Sequence, residues 1–243
     1  MLYDQIKNSS HKQLVVLIDP DKQNEHSLLH LIELAKNARV DFFFVGGSLL
    51  LENCFEETIK TNSKIPVIIF PGNSYQVSKQ ADAILFLSLI SGRNAEYLIG
   101  QQVIAAPTIK EAQIETIPTG YILIDGGRTS TTSYITQTIP IPNDKADIAV
   151  ATALAGEMLG MKLIYLEAGS GAKNCVNTKM ISTVKKNISV PLLVGGGICS
   201  AEQAEEICQA GADVIVVGNI LEKEPELLLE ISLAVHSNSD VKK

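Results

Sequence analysis

The sequence predicts an α/β protein folded as one (β/α)8 barrel (a TIM barrel), and three observations predict it. Eight short runs rich in Val, Ile, Leu and Phe recur along the chain, most of them are separated by a polar, helix-compatible stretch, and the length is right. Strands of a parallel sheet are covered on both faces and so read as near-continuous apolar runs, and right-handed βαβ crossovers curl eight of them into a barrel. The 243 residues, 46% hydrophobic and 19% charged, match the ~250 usual for this fold, so a single domain over 1–243 is expected.

In chain order the predicted strands are 14–18, 42–45, 67–70, 83–87, 121–125, 162–167, 192–194 and 214–217. Clean 3.6-residue periodicity predicts helices over 26–38, 146–159, 201–210 and 224–235. Two links are irregular. Between the third and fourth strands only PGNSYQVSKQAD is available, so the third helix is expected to be irregular or missing. The link 125–144, DGGRTSTTSYITQTIPIPND, is too long and too rich in Gly, Ser, Thr and Pro for an ordinary connector. It suits a lid over a site.

Composition narrows the function. The formal charge is −7 and the basic residues are scattered apart from the pairs at 185–186 and 242–243, which argues against nucleic acid as a partner. Apolar runs such as LVVLI are far shorter than the ~20 residues of a membrane-spanning helix. The N-terminal MLYDQIKNSSHK lacks the apolar stretch of a secretory signal, and Cys54, Cys175, Cys199 and Cys208 show no C-x-x-C spacing. Reduced thiols in a cytoplasmic protein are the expectation. His26 and His30 stand four apart with Glu33 nearby, yet are expected to face solvent, as is the tail 240–243.

Functional groups of such a barrel lie on the loops after the strands. Asp19, after the first strand, offers a hard oxygen ligand for Mg²⁺, or caps the turn beside Pro20. Ser48 follows Gly46-Gly47 after the second strand and either caps a helix or gives its hydroxyl to a metal or phosphate. On the sixth strand, alternation puts Tyr165 and Glu167 on one face, with Ala168-Gly169-Ser170-Gly171 following. Glu167 is then either functional or a core carboxylate paired with a lysine such as Lys162. Gly196-Gly197 after strand seven and Gly218-Asn219 after strand eight complete the recurrent phosphate site of these barrels.

The segments VLIDPDK, FFFVGGSLL, PVIIFPGN, FLSLISGRNAEYLIGQQ, KLIYLEAGSGA, VPLLVGGGI and ADVIVVGNI together resemble the geranylgeranylglyceryl phosphate synthase family over nearly the whole chain. The resemblance implies an Mg²⁺-dependent transferase that joins a polyprenyl diphosphate to the 3-hydroxyl of sn-glycerol 1-phosphate, forming an ether lipid precursor for phospholipid biosynthesis. Carried over by position, Asp19 and Ser48 match the metal positions. Tyr165, Leu166, Glu167, Ala168, Gly169, Ser170 and Gly171, with Gly196, Gly197, Gly218 and Asn219, match the glycerol phosphate site, and Glu167 with Tyr165 the reacting centre. A homo-oligomer that meets a membrane surface through its lipid product is also expected.

Bacterial members making the heptaprenyl product resemble one another in a lysine two residues before the metal aspartate, where this chain has Leu17, and in Y-S-G where it has AGSG at 168–171. Both departures point to the geranylgeranyl branch. The prenyl chain needs an apolar groove, for which 91–101 with Tyr97, and Tyr75, are candidate walls. Rival readings are a phosphosugar isomerase or lyase, a flavin-binding barrel using the same phosphate loops, and a non-catalytic phospholipid-binding module.

Overall fold

A computed structural model describes residues 1–50, 54–61 and 64–238; the tail 240–243 lies outside them. Along the chain run α1 (Leu2–Lys7), β1 (Gln13–Ile18), α2 (Glu25–Asn37), β2 (Phe42–Val45), α3 (Phe55–Lys60), β3 (Val67–Ile69), β4 (Ala83–Leu89), α4 (Gln101–Ala112) and β5 (Glu115–Leu123). Then come α5 (Thr131–Thr136), α6 (Ala146–Met158), β6 (Leu163–Glu167), α7 (Thr178–Asn187), β7 (Leu192–Gly195), α8 (Ala201–Gln209), β8 (Val214–Val217) and α9 (Leu227–Ser237). All eight strands are parallel, each pairs with the next, and β8 closes on β1. This is the predicted barrel.

Strand alternation divides the apolar residues into two layers. Val15, Phe42, Phe44, Ile68, Leu85, Leu123, Leu163, Tyr165 and Leu193 fill the barrel interior. Leu14, Val16, Phe43, Ile69, Ile122, Leu166, Val194 and Ile215 face the helices. No helix stands between β3 and β4, as PGNSYQVSKQAD was too short to supply one.

Two boundaries differ from the sequence expectation by three residues or more. β5 starts at Glu115 rather than at 121, because the seven residues of β4 pair with Glu115 to Tyr121 and hold Pro118 and Gly120 extended. Pro118 lacks an N–H, but its carbonyl still accepts from Lys162 N–H at 2.8 Å. Gly120 and Gly156 leave room for one side chain: a Cβ on either would stand 2.8 Å from Ile90 Cδ1. The last helix begins at Leu227 rather than at 224, since Pro225 disfavours helical backbone at Glu224.

The long link after β5 is ordered around α5. Ser130 caps it with a reciprocal Ser130–Ser133 capping box, and Ile141 pairs with Ile124 so that the link returns beside β5.

Candidate active site

β1 ends in Asp19, whose Oδ1 accepts from Asp21 N–H at 3.2 Å and so caps the single 3-10 turn Pro20–Lys22. The capping reading and the cavity-facing reading are both met by one side chain, because Asp19 also lines the cavity at the barrel mouth. Burial raises its pKa above the ordinary carboxyl value, opposed by the Asp21 N–H bond and, less, by Lys22, while the Asp21 charge adds a smaller rise. Across the mouth Glu222 is raised as well, by burial first and by Asp19 second. Glu222 thus resists ionisation partly on account of the Asp19 charge, and Lys22 opposes the rise at both carboxylates.

Glu167, at the end of β6, is 5% exposed and its Oε1 accepts from Gly169 N–H at 2.8 Å. Its pKa is raised by burial, against the Tyr165 hydroxyl and the Gly169 N–H. Lys162 is not its partner: that ammonium sits 5.0 Å from the centre of the Tyr3 ring at the opposite end of the strand. Tyr165 is fully buried, and its hydroxyl makes no hydrogen bond of standard geometry among the described residues. Phenol and carboxylate meet above Gly195, where an added Cβ would stand 2.5 Å from the Tyr165 hydroxyl and 3.1 Å from Glu167 Oε2.

Around them the glycine loops close. Gly196 and Gly197 both take positive φ, +83° and +76°, and a Cβ at Gly196 would lie 2.4 Å from Glu167 Oε1. Asn219 Oδ1 accepts from Ser170 Oγ at 2.7 Å and from Gly171 N–H at 3.0 Å, joining the loops after β6 and β8. Asp19, Ser48, Tyr165, Glu167, Ser170, Gly171, Gly196, Gly197, Gly218 and Asn219 line one cavity of about 330 Å³. Leu166, Ala168 and Gly169 do not line it: Leu166 and Ala168 turn their side chains to the helix layer, and the Gly169 N–H is taken by Glu167.

Sequence reasoning missed Tyr121, Phe70 and Thr132, which line the same cavity. Tyr121 lay inside the expected strand 121–125, but only the register Tyr121↔Tyr165 sets it in the same barrel layer as Tyr165. Burial and the Glu167 charge push its phenol well above the ordinary value, opposed by the Thr132 hydroxyl beside it.

A second, apolar cavity of about 100 Å³ runs from this mouth between β4 and α4, past Leu85, Phe86, Leu87, Tyr97 and Ala105 to Ile109. It shares Gly47, Ser48, Phe70, Tyr121 and Thr132 with the first. Of the stretch 91–101, Tyr97 and Gln101 are walls of it. Tyr75 is not: it is 86% exposed, while its neighbours Asn73 and Ser74 form the wall.

Over residues 5–235 the chain matches the model of the PcrB family. The chain belongs to the PcrB family. A protein named geranylgeranylglyceryl phosphate synthase from Chitinophaga pinensis is 52% identical to this PcrB-family chain over 96% of it and 93% of the relative. One of the same name from Methanosphaera stadtmanae is 44% identical, over 91% of both chains. The crystal structure of (S)-3-O-geranylgeranylglyceryl phosphate synthase from Thermoplasma acidophilum, in complex with its substrate sn-glycerol-1-phosphate, superposes with a TM-score of 0.90 at 35% identity and covers 97% of each chain.

Among the described residues no group of three or more His, Cys, Asp or Glu could hold a metal, and no helix is long and apolar enough to cross a membrane. His26 and His30 face solvent on α2, with His30 Nε2 3.1 Å from Glu226 Oε1.

Proposed function

We propose that this PcrB-family protein is a cytoplasmic prenyltransferase that joins geranylgeranyl diphosphate to the 3-hydroxyl of sn-glycerol 1-phosphate. The observation that carries this reading is the junction of the two cavities: a polar chamber floored by Glu167 opens at Ser48, Tyr121 and Thr132 into an apolar groove. A phosphosugar isomerase has no use for such a groove. A prenyl donor needs both, a polar end for the diphosphate and an apolar channel for the chain.

In this reading the glycine loops grip the acceptor phosphate, which acts as a handle fixing the 3-hydroxyl near Glu167. The C1–O bond of the allylic diphosphate breaks, the acceptor oxygen bonds to C1, and its proton passes to a Glu167 oxygen. Burial makes that carboxylate a stronger base than an ordinary Glu. The Tyr121, Tyr165 and Phe70 rings pack against one another with centroids 5.4 to 5.9 Å apart. Their faces favour positive charge developing on the allylic carbon.

The residues fit Mg²⁺. Asp19 faces the β2 turn, its Oδ1 3.3 Å from where a Cβ on Gly47 would stand, and Ser48 follows on that turn. One carboxylate and one hydroxyl, completed by substrate phosphates and water, is a usual set for this ion. Bound there, Mg²⁺ would neutralise charge on the departing diphosphate.

The test is incubation of the protein with Mg²⁺, labelled sn-glycerol 1-phosphate and a series of prenyl diphosphates. Label is expected in the organic phase, with the 20-carbon donor preferred and the sn-3 acceptor excluded. Absence of extractable product with every donor would sink the proposal.

A further inference from the structure

Thr132 is the one residue of α5 that lines both cavities. Its Oγ1 lies 2.9 Å from Ser48 Oγ on the β2 turn and beside the Tyr121 phenol. An isolated helix of six residues does not hold its own shape in water, so tertiary ties must place α5. Among the described residues three side-chain contacts reach it from other elements: Asn94 Nδ2 donates to Thr136 O at 3.2 Å, Ser48 meets Thr132, and the Tyr121 phenol meets the same Thr132 hydroxyl. The second and third stand at the junction, and of these the Ser48 contact reaches the β2 turn.

We propose that Thr132 is a positioning residue for prenyl transfer: its hydroxyl ties α5 to the β2 turn and fixes the wall where the two cavities meet. This rests on the transferase reading. Ser48, Thr132 and Tyr121 carry three hydroxyl protons, and the two bonds that link them through Thr132 use two, so one O–H of the trio remains for a ligand. A diphosphate oxygen only accepts, which makes it the natural taker of that proton. Loss of the tie frees α5 to move away, widening the junction and loosening the alignment of donor carbon and acceptor oxygen.

The experiment compares Thr132→Val, which keeps the shape and removes the hydroxyl, with Thr132→Ser, which keeps the hydroxyl. In Thr132→Val, kcat/KM for the prenyl donor is expected to fall about 10- to 100-fold, while KM for sn-glycerol 1-phosphate stays at the wild-type value. Amide exchange over 131–136 should quicken at least about tenfold with the barrel strands unchanged, as expected of a local opening. Thr132→Ser should restore both readouts. Wild-type donor kinetics or wild-type exchange in Thr132→Val overturns the proposal. A wild-type chain that forms no product, with α5 still loosened in Thr132→Val, removes the transferase reading and leaves the tie standing.

Discussion

The two ends of the barrel use carboxylates in opposite ways. At the base, each of several acids at or just before a strand accepts backbone N–H groups from the neighbouring element: Asp41 from Leu14 and Asp82 from Val67, both at 2.8 Å, and Asp213 from Leu192 at 2.7 Å. Glu115 accepts from Leu2 and Tyr3 at 2.5 and 3.0 Å and so fastens α1 under the barrel. Asp213 also pairs with Lys185 at 2.5 Å, and Asp41 with His236 at 3.1 Å. At the mouth, Glu167, Asp19 and Glu222 are all held above the ordinary carboxyl range, chiefly by burial. Satisfied acids close the base, and strained acids at the mouth keep their capacity for a ligand. That is the division of a barrel into a stability face and a reaction face.

The largest expected effect breaks the mouth alone. Glu167→Gln should lower kcat by roughly 10² to 10⁴, because in the proposed reaction the carboxylate takes a proton that moves only in the transition state. KM for the acceptor phosphate should change much less. The same variant should be more stable than the wild type at pH 7. Folded Glu167 has a raised pKa, so the folded state binds more protons than the unfolded one, and stability falls as pH rises from the ordinary value of 4.5 through the raised one. The neutral Gln escapes that loss. The difference in Tm should vanish below pH 4.5, where both side chains are uncharged; a Gln variant less stable at pH 7 would show that Glu167 holds the fold together.

Asp19→Asn should reduce turnover by about 10² or more at saturating Mg²⁺ with little change in Tm, since the amide still caps the 3-10 turn but loses the charge. Near-wild-type turnover would mark Asp19 as a turn residue only. Gly196→Ala joins the two faces of the comparison. Its φ of +83° strains any side chain, and its Cβ would press on Glu167 Oε1 and on Gly169 N at 2.7 Å. Expected are a loss of about 1–3 kcal/mol in denaturant unfolding and, from displacement of Glu167, a lowered kcat; unchanged kcat would mean that the carboxylate position is uncritical.

The smallest effect on catalysis belongs to the base. Asp213→Ala leaves the Leu192 N–H and the Lys185 ammonium without their partner, so about 1–3 kcal/mol of stability should be lost. Steady-state constants at a permissive temperature should match the wild type. A specific loss of kcat would show that base and mouth are coupled.

The repeat of apolar runs, the absence of a third helix and the glycine turns were legible because each depends on local chemistry: burial on both faces of a strand, a link too short for a helix, positive φ after β7. That Asp19, Ser48, Glu167 and the glycine loops converge was legible because a barrel brings every strand's end to one mouth. β5 was not fully legible, since Pro118 and Gly120 look like a turn until β4 pairs with them. Tyr121 went unread as a site residue because only the register with β6 sets it opposite Tyr165. Tertiary structure alone decided that Glu167 faces Tyr165 above Gly195 rather than pairing with Lys162, that α5 rests on Ser48 through Thr132, and that a groove ending at Ile109 opens from the polar chamber. Each of these joins residues tens of positions apart, and only closure of the barrel sets such distances, whereas periodicity along the chain reports which face a residue takes and not what it meets there.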